Sequence, residues 1–343
     1  MSGRRPAAAP AACAVAHTAP TAPAAPAPPR PDAAEVVRRL ELTLSTRVDG
    51  LLHGAHTGRL PGLGSEAGET RRYAPGDDPR RIDWNVTART QSPHVRDAVA
   101  EREVETWLVV DLTASTEFGT ARCTKRDLVV AAAGACALLT SRAGDRVGAH
   151  VLTPERVVTL PARAGGAQAR AVLDCLAAVP RPDAAAPARG AGPDLGDALD
   201  LLARQTRRRG LAVVVSDFPG SGRWVPAMRA VAARHEALAI EVLDPRELDL
   251  PDVGLLVVAD AETGEEREVR TGDAGLRHRY AVAARAQRAA TAAALRERAV
   301  DHLVLRTDRD ATADLVAWLA QRPRRLAHLR RRHMVSGGQG GRP

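Results

Sequence analysis

Oxygen-bearing side chains follow two apolar runs of this 343-residue chain. Asp111, Thr113 and Ser115 alternate after the run 107–110, and Asp217 follows the run 211–216. Carboxylate and hydroxyl oxygens are the donors that Mg²⁺ and Mn²⁺ prefer, so the spacing is compatible with a site for one of these ions. Asp, Ser and Thr also end strands and begin helices in many proteins, and the spacing alone favours that interpretation.

A second group of charged and aromatic residues lies upstream, between positions 73 and 89. The Pro-Gly pair at 75–76 predicts a turn, and Asp78 followed by Pro79 predicts the start of a short helix. A capped, salt-bridged loop explains this segment without any function. Its chemically distinctive residues are Tyr73, Pro75, Gly76, Asp77, Asp78, Arg81, Asp83, Trp84 and Arg89.

Trp84 is expected to be buried in the body of the domain. Aromatic residues make up only 2 % of the chain, so its four tryptophans are needed for packing. Asp83 is expected to pair with Arg81 or Arg89 beside it. Nothing in this segment combines a nucleophile with a base, which argues against catalysis here.

The elements that must position these residues alternate between strand and helix. Strands are predicted near 107–110, 147–152, 156–160, 211–216, 238–243 and 302–305, with a hairpin at 255–269. Helices are predicted at 124–142, 165–179, from Asp194 onward and at 274–299. This alternation predicts an α/β fold: a doubly wound, mostly parallel sheet with an inserted hairpin plus helix. Ligands of such sheets bind at the carboxyl ends of the strands, and the absence of a glycine-rich phosphate loop argues against a nucleotide site.

Charge is concentrated at the two ends of the chain. The net charge is +8, but residues 1–30 and 321–343 together carry ten arginines and no acid, so the segment between them is at −2. Lys125 is the only lysine beside 48 arginines, which indicates a compositional bias of a GC-rich genome more than selection for phosphate contacts. Nucleic-acid binding through the arginine-rich tails is therefore an alternative and not the leading interpretation.

The ends of the chain do not have the composition of folded domains. Residues 1–30 are expected to form a disordered Pro/Ala tail, and 322–343 a basic, Gly-rich tail. No export signal follows the first arginines, and no run of 18 uncharged apolar residues exists, so no membrane association is expected. The four cysteines form no CxxC pair. Together these features favour a cytoplasmic protein.

A resemblance adds to this interpretation. The run Tyr73-x-Pro-Gly-Asp-Asp-x-Arg-Arg-Ile-Asp-Trp, with Ala88-Arg89 after it, resembles the signature of the bacterial family called domain of unknown function fifty-eight. The similarity continues through Asp111-x-Thr-x-Ser, the run 144–148, Ser216-Asp217-Phe218, the run 243–246 and the turn 262–265. It covers roughly residues 35–320.

The resemblance implies a von Willebrand factor type A-like fold with a metal-ion-dependent adhesion site. Asp111, Thr113, Ser115 and Asp217 match the metal motifs of the family, but Pro193 stands where the family has a threonine ligand. Binding of Mg²⁺ or Mn²⁺ is therefore expected to be weak or absent. The resemblance also implies a partnership with an AAA+ ATPase of the MoxR type in maturation or remodelling of a client protein.

The leading prediction is a non-enzymatic protein-interaction domain that acts with such an ATPase through a degenerate adhesion site. The alternatives are a metal-dependent hydrolase that uses the same carboxylates and nucleic-acid binding through the tails. The predicted organisation is a tail at 1–30, a signature segment at 31–106, the von Willebrand factor type A-like domain at 107–321 and a second tail at 322–343.

Overall fold

A computed structural model describes residues 14–17, 61–74, 77–99, 104–142, 144–181, 192–206, 208–220, 222–260 and 265–311, with 313–315 and 317–318. The chain divides into two compact units, one formed by Met1–Leu52 and Val104–Pro343 and the other by His53–Glu103. Pro75, Gly76, the hairpin turn 261–264 and the second tail lie outside the described residues.

The larger unit is built on a six-stranded sheet. Its strands are β4 (Glu105–Asp111), β5 (Arg146–Leu152), β6 (Val157–Ala164), β7 (Leu211–Ser216), β8 (Glu236–Leu243) and β11 (Asp301–Arg306), in the order β11-β8-β7-β4-β5-β6. All neighbours pair in parallel except β5 and β6, which pair antiparallel. The predicted mostly parallel sheet is confirmed. The order of strands reverses between β4 and β7, which puts a crevice at their carboxyl ends.

Helices cover both faces of this sheet. The described helices of the unit are α2 (Lys125–Arg142), α3 (Gly166–Ala178), α4 (Leu195–Gln205), α5 (Trp224–Ala232) and α6 (Ala274–Glu297). Leu108 and Val110 of β4 pack with α2 and α3, whereas Trp107 and Val109 pack with α4 and α5. Alternate residues of one strand thus enter two separate cores, as the doubly wound prediction requires.

Local capping signals fix the starts of two predicted helices. The Thr124 amide donates to Asp127 Oδ2 at 2.9 Å and the Asp127 amide to Thr124 Oγ1 at 3.2 Å, which starts α2. Asp194 and Asp197 form the equivalent reciprocal pair at the start of α4. These bonds satisfy amides that have no partner within the helix.

The hairpin is formed by β9 (Leu255–Asp260) and β10 (Glu266–Arg270), which pair antiparallel as predicted. A third strand, β1 (Ala14–His17), pairs antiparallel with β9, with Ala14 opposite Asp260. The sequence predicted disorder throughout residues 1–30, whereas these four residues form an edge strand. Their backbone pairs with β9, and this pairing does not depend on the amino-acid composition from which disorder was predicted.

The smaller unit contains β2 (Pro61–Arg72), a 3₁₀ turn at Pro79–Arg81, α1 (Trp84–Thr90) and β3 (His94–Val99). The strands β2 and β3 pair antiparallel, and Ile82 forms an isolated bridge to Val95. None of the described helices of either unit is long and apolar enough to cross a membrane.

Candidate functional site at the carboxyl edge of the sheet

The carboxyl ends of β4, β7 and β8 bring a set of polar side chains together. We call it the carboxyl-edge cluster, and it consists of Asp111, Thr113, Ser115, Lys125, Ser216, Asp217 and Glu247. Asp111 ends β4, Ser216 ends β7, and Lys125 is the first residue of α2. Glu247 lies in the 3₁₀ turn that follows β8. Three of the four residues predicted as metal ligands, Asp111, Ser115 and Asp217, are buried, and Thr113 is half-buried.

Asp111 is held by hydrogen bonds on both oxygens. Oδ1 accepts from the Thr113 amide at 3.1 Å and the Thr113 hydroxyl at 2.7 Å, and Oδ2 accepts from the Ser216 hydroxyl at 2.6 Å. Burial, followed by the charge of Asp217, raises the pKa of Asp111 to about 6. The hydrogen bonds oppose this shift without cancelling it.

Asp217 has a cation as its partner. Lys125 Nζ lies 2.8 Å from Asp217 Oδ2 and 2.8 Å from Glu247 Oε1. Burial acts to raise the pKa of Asp217, but the charge and hydrogen bond of Lys125 outweigh it and hold that pKa below its usual value. The second oxygen, Asp217 Oδ1, is buried and has no hydrogen-bond partner among the described residues.

A strained turn directly follows Asp217. The next residue, Phe218, has a φ of 50°, in the left-handed region that residues with a Cβ rarely adopt. Its amide donates to Ser216 Oγ at 3.0 Å, and its ring packs edge-to-face on Trp224 at 5.1 Å between centroids. Packing of a fully buried aromatic ring therefore stabilises a conformation that the backbone alone disfavours.

A second buried network lies beside the cluster on β8. Glu241 accepts from Arg288 of α6 and lies 2.8 Å from His302 Nε2 of β11. Arg288 also donates to the backbone carbonyl of Asp217 at 2.9 Å. Burial acts to lower the pKa of Arg288, but Glu241 and other acids raise it above its usual value. Arg288 thus ties α6 to the turn that carries Asp217.

Pro193, which stands where the family resemblance implies a threonine ligand, directly precedes the cap of α4. A shift of that ligand to the neighbouring carboxylate does not fit the geometry. Asp194 Oδ1 accepts from the Asp197 amide at 3.0 Å, and Oδ2 pairs with Arg223 at 2.8 Å. Both oxygens of Asp194 are therefore engaged in the cap of α4 and in the pair with Arg223.

The arrangement does not fit the divalent ion that the resemblance implies. Both Asp111 oxygens accept hydrogen bonds from the chain, and the charge of Asp217 is compensated by Lys125. Among the described residues no group of three or more His, Cys, Asp or Glu side chains could hold a metal ion. Mg²⁺ needs near-octahedral oxygen coordination, which one open carboxylate oxygen and two hydroxyls do not supply.

The signature segment is held by local hydrogen bonds. Asp77 Oδ2 accepts from the Ala74 amide at 2.8 Å, and Asp78 caps the 3₁₀ turn through the Arg80 amide at 3.0 Å, which confirms the predicted helix start. Tyr73 is half-buried, and its amide donates to the Pro93 carbonyl at 2.8 Å. The side chain of Arg81 lies outside the description.

The prediction that Trp84 is buried is wrong, because 70 % of this residue is exposed. Trp84 is the first residue of α1, a seven-residue helix without buried residues. Among the side chains of this unit that the structure describes, the buried apolar one is Val95. Asp83 is buried and caps α1 through the Asn85 and Val86 amides. Arg89 Nε donates to the Asn85 carbonyl.

Sequence reasoning missed Lys125, Glu247 and Arg288 as members of the site and its support. The missed signal is compositional, because Lys125 is the single lysine in a chain with 49 basic residues. The only lysine of an arginine-rich chain could therefore have drawn attention to position 125. Glu247 could be found from its place three residues after Asp244, which is the spacing of a capping box.

The fold and the site define an α/β protein whose doubly wound sheet carries a charge-compensated polar cluster at its carboxyl edge. The chain belongs to the family described as protein of unknown function DUF58, whose sequence profile matches residues 69–290.

Several mycobacterial proteins are similar to this chain. The uncharacterized proteins Rv1480 of Mycobacterium tuberculosis and Mb1516 of Mycobacterium bovis are each 52 % identical to it over 291 residues, which is 85 % of this chain and 90 % of theirs. The uncharacterized protein MAV169 of Mycobacterium avium is 48 % identical over 165 residues, 48 % of this chain and 94 % of its own length.

Two solved structures show a distant likeness. BatB from Bacteroides thetaiotaomicron covers 66 % of this chain and 99 % of its own, with 18 % identity and a TM-score of 0.40. An aerotolerance-related membrane protein from Bacteroides fragilis covers 64 % and 97 %, with 15 % identity and a TM-score of 0.38. At these TM-scores the two likenesses support no conclusion about this chain.

Proposed function

We propose that this chain is a non-enzymatic, cytoplasmic protein-interaction domain of the von Willebrand factor type A-like kind. In this proposal it acts with an AAA+ ATPase of the MoxR type on a client protein, and the carboxyl edge of the sheet is the contact surface. The family resemblance supports the choice of partner. The reversal of strand order between β4 and β7 supports the choice of surface, because ligands of doubly wound sheets bind there.

The observation that carries the proposal is that the polar groups of the carboxyl-edge cluster are engaged with one another. A hydrolase needs an activated nucleophile with a base in reach. The Ser216 hydroxyl donates to Asp111, but Ser216 is 0 % exposed and its oxygen also accepts from the Phe218 amide, so a substrate cannot reach it. The Lys125 ammonium lies between Asp217 and Glu247, so this ammonium is a poor proton acceptor. This arrangement supports binding in preference to bond breaking.

The rim of the same edge offers exposed positive charge. Arg122 is exposed, and its amide donates to the carbonyl of Thr307, directly after β11. Arg246 is also exposed and follows the carboxyl end of β8. Arginine side chains around a polar centre suit an acidic partner surface, where charge complementarity raises the rate of association.

A capture experiment with charge-reversed variants tests the proposal. Asp111 and Asp217 are buried, so substituting them disturbs folding, whereas Arg122→Glu and Arg246→Glu change only exposed side chains. The matched control is Arg170→Glu, an exposed arginine on α3 near the opposite edge of the sheet. The full chain and the control should recover an AAA+ ATPase, identified by mass spectrometry, from native cytosol, and the two edge variants should recover much less.

Two results contradict the proposal. Equal recovery by all variants means that the carboxyl edge is not the contact, and no ATPase in any eluate means that the partner is wrong. The contact between Ser216 and Asp111 that a hydrolase could use is buried away from any substrate. Nucleic-acid binding through the tails predicts retention on DNA with a steep salt dependence that survives deletion of residues 31–320.

A further inference from the structure

We propose that the ammonium group of Lys125 is the resident cation of the carboxyl-edge cluster and takes the place that a divalent ion holds in a metal-dependent site. The cluster is then complete without metal, and Lys125, not Pro193, is the main reason that Mg²⁺ and Mn²⁺ are excluded. This inference goes beyond the proposed function, because it holds whichever partner binds the edge.

The position of the ammonium group is the first argument. Nζ is 2.8 Å from one oxygen of Asp217 and 2.8 Å from one oxygen of Glu247, so two carboxylates share one cation. The Lys125 side chain is 0 % exposed, and the Phe118 ring centroid lies 6.0 Å from Nζ. Lys125 is therefore a fixed component of the cluster, because its side chain is buried and its charge is compensated by two carboxylates.

The elements that Lys125 joins are the second argument. Lys125 begins α2, Asp217 follows β7, and Glu247 lies in the turn after β8. Asp217 is 92 residues away in sequence and Glu247 is 122 residues away. One ammonium group therefore links three segments at the carboxyl edge. A bound metal ion links segments in the same way when its ligands come from separate loops.

The sequence supplies an independent argument. Lys125 is the single lysine among 49 basic residues of this chain. The ammonium of lysine is a compact point charge with three donors, whereas the guanidinium of arginine is a wide planar fork. Asp217 and Glu247 each lie 2.8 Å from the same nitrogen, an arrangement that fits the compact ammonium group better than the wide guanidinium group.

A divalent ion and this ammonium group compete for the same carboxylate. A metal bound to Asp217 would lie close to Nζ, and two like charges in a buried site repel each other strongly. Of the two Asp217 oxygens, Oδ1 alone lacks a hydrogen-bond partner among the described residues, and the oxygens of Asp111 accept from Thr113 and Ser216. Metal binding therefore requires that Lys125 leave.

The test measures Mn²⁺ binding to the full chain by the loss of the free-ion signal in electron paramagnetic resonance, with Mg²⁺ as competitor. Wild type should leave millimolar Mn²⁺ free. Lys125→Met removes the ammonium group but keeps a long apolar side chain, and it should bind Mn²⁺ at least about tenfold more tightly than wild type. Pro193→Thr alone should behave as wild type, because Lys125 still occupies the site.

The matched control is Arg126→Met, which removes the neighbouring buried cation and its pair with Glu117 at 2.7 Å. It should gain no Mn²⁺ binding. Three outcomes overturn the proposal. Wild type binds Mn²⁺, and an Asp217→Asn protein with a native circular dichroism spectrum does not; Pro193→Thr alone creates binding; or a Lys125→Met protein with a native circular dichroism spectrum gains none. The first two outcomes decide the question even where Lys125→Met does not fold.

Discussion

Replacing Lys125 with methionine should destabilise the fold strongly. The Lys125 side chain is 0 % exposed, and its partners Asp217 and Glu247 are 5 % and 12 % exposed, so the substitution leaves two largely buried carboxylates without their cation. Removing one partner of a buried ion pair costs about 3–5 kcal/mol, a large part of the 5–15 kcal/mol typical of a whole protein. For a domain of this size the loss corresponds to a fall of roughly 6–20 °C in Tm.

Urea unfolding followed by circular dichroism measures this loss. The slope of the transition should stay the same while its midpoint falls. Arg267→Met serves as a control, because Arg267 pairs with Glu265 on the surface and such pairs contribute at most about 1 kcal/mol. The double substitution Lys125→Met/Asp217→Asn should recover part of the loss, since it leaves Glu247 as the one carboxylate of the three-charge group without the cation. A loss below about 1 kcal/mol in Lys125→Met would refute the reasoning.

Three further predictions concern the same sheet. The pKa of Asp111 is raised to about 6 from 3.8, so its stabilising contribution is present at low pH and is lost as pH rises through about 6. Wild type should lose about 2 kcal/mol relative to Asp111→Asn between about pH 4 and about pH 7, and a pH-independent difference in urea titrations would contradict this. Gly148→Ala should cost about 1–3 kcal/mol in thermal unfolding, because its Cβ would lie 2.9 Å from the Trp107 ring; an unchanged Tm would count against that contact. An amine-reactive reagent should leave Lys125 unlabelled in the native chain and reach it only in denaturant, as peptide mass spectrometry would show.

Local signals predicted much of the fold. Apolar runs located the strands of the sheet, and the pairs Thr124/Asp127 and Asp194/Asp197 located two helix starts, because all of these features involve residues close in sequence. Helix α5 was missed. It is nine residues long and has Pro226 in its first turn, where proline is tolerated but obscures the periodic pattern.

The candidate site was predicted only in part, for a physical reason. The D-x-T-x-S spacing identified the strand ends, but the cation that fixes the charge of Asp217 lies 92 residues away, and no local pattern encodes that contact. The burial of Trp84 was inferred from composition, whereas exposure depends on which helix face meets the strands. Composition shows that a chain with few aromatic residues needs its tryptophans for packing, but it does not show which tryptophan is buried.

Crystals grown with millimolar MnCl₂ test most directly the claim that an ammonium group, not a metal, organises the carboxyl-edge cluster. The account predicts no anomalous manganese peak beside Asp111 or Asp217, and density for Lys125 Nζ within hydrogen-bond distance of both Asp217 and Glu247. A manganese peak coordinated by Asp111 and Asp217, with the Lys125 side chain displaced from them, would contradict the account.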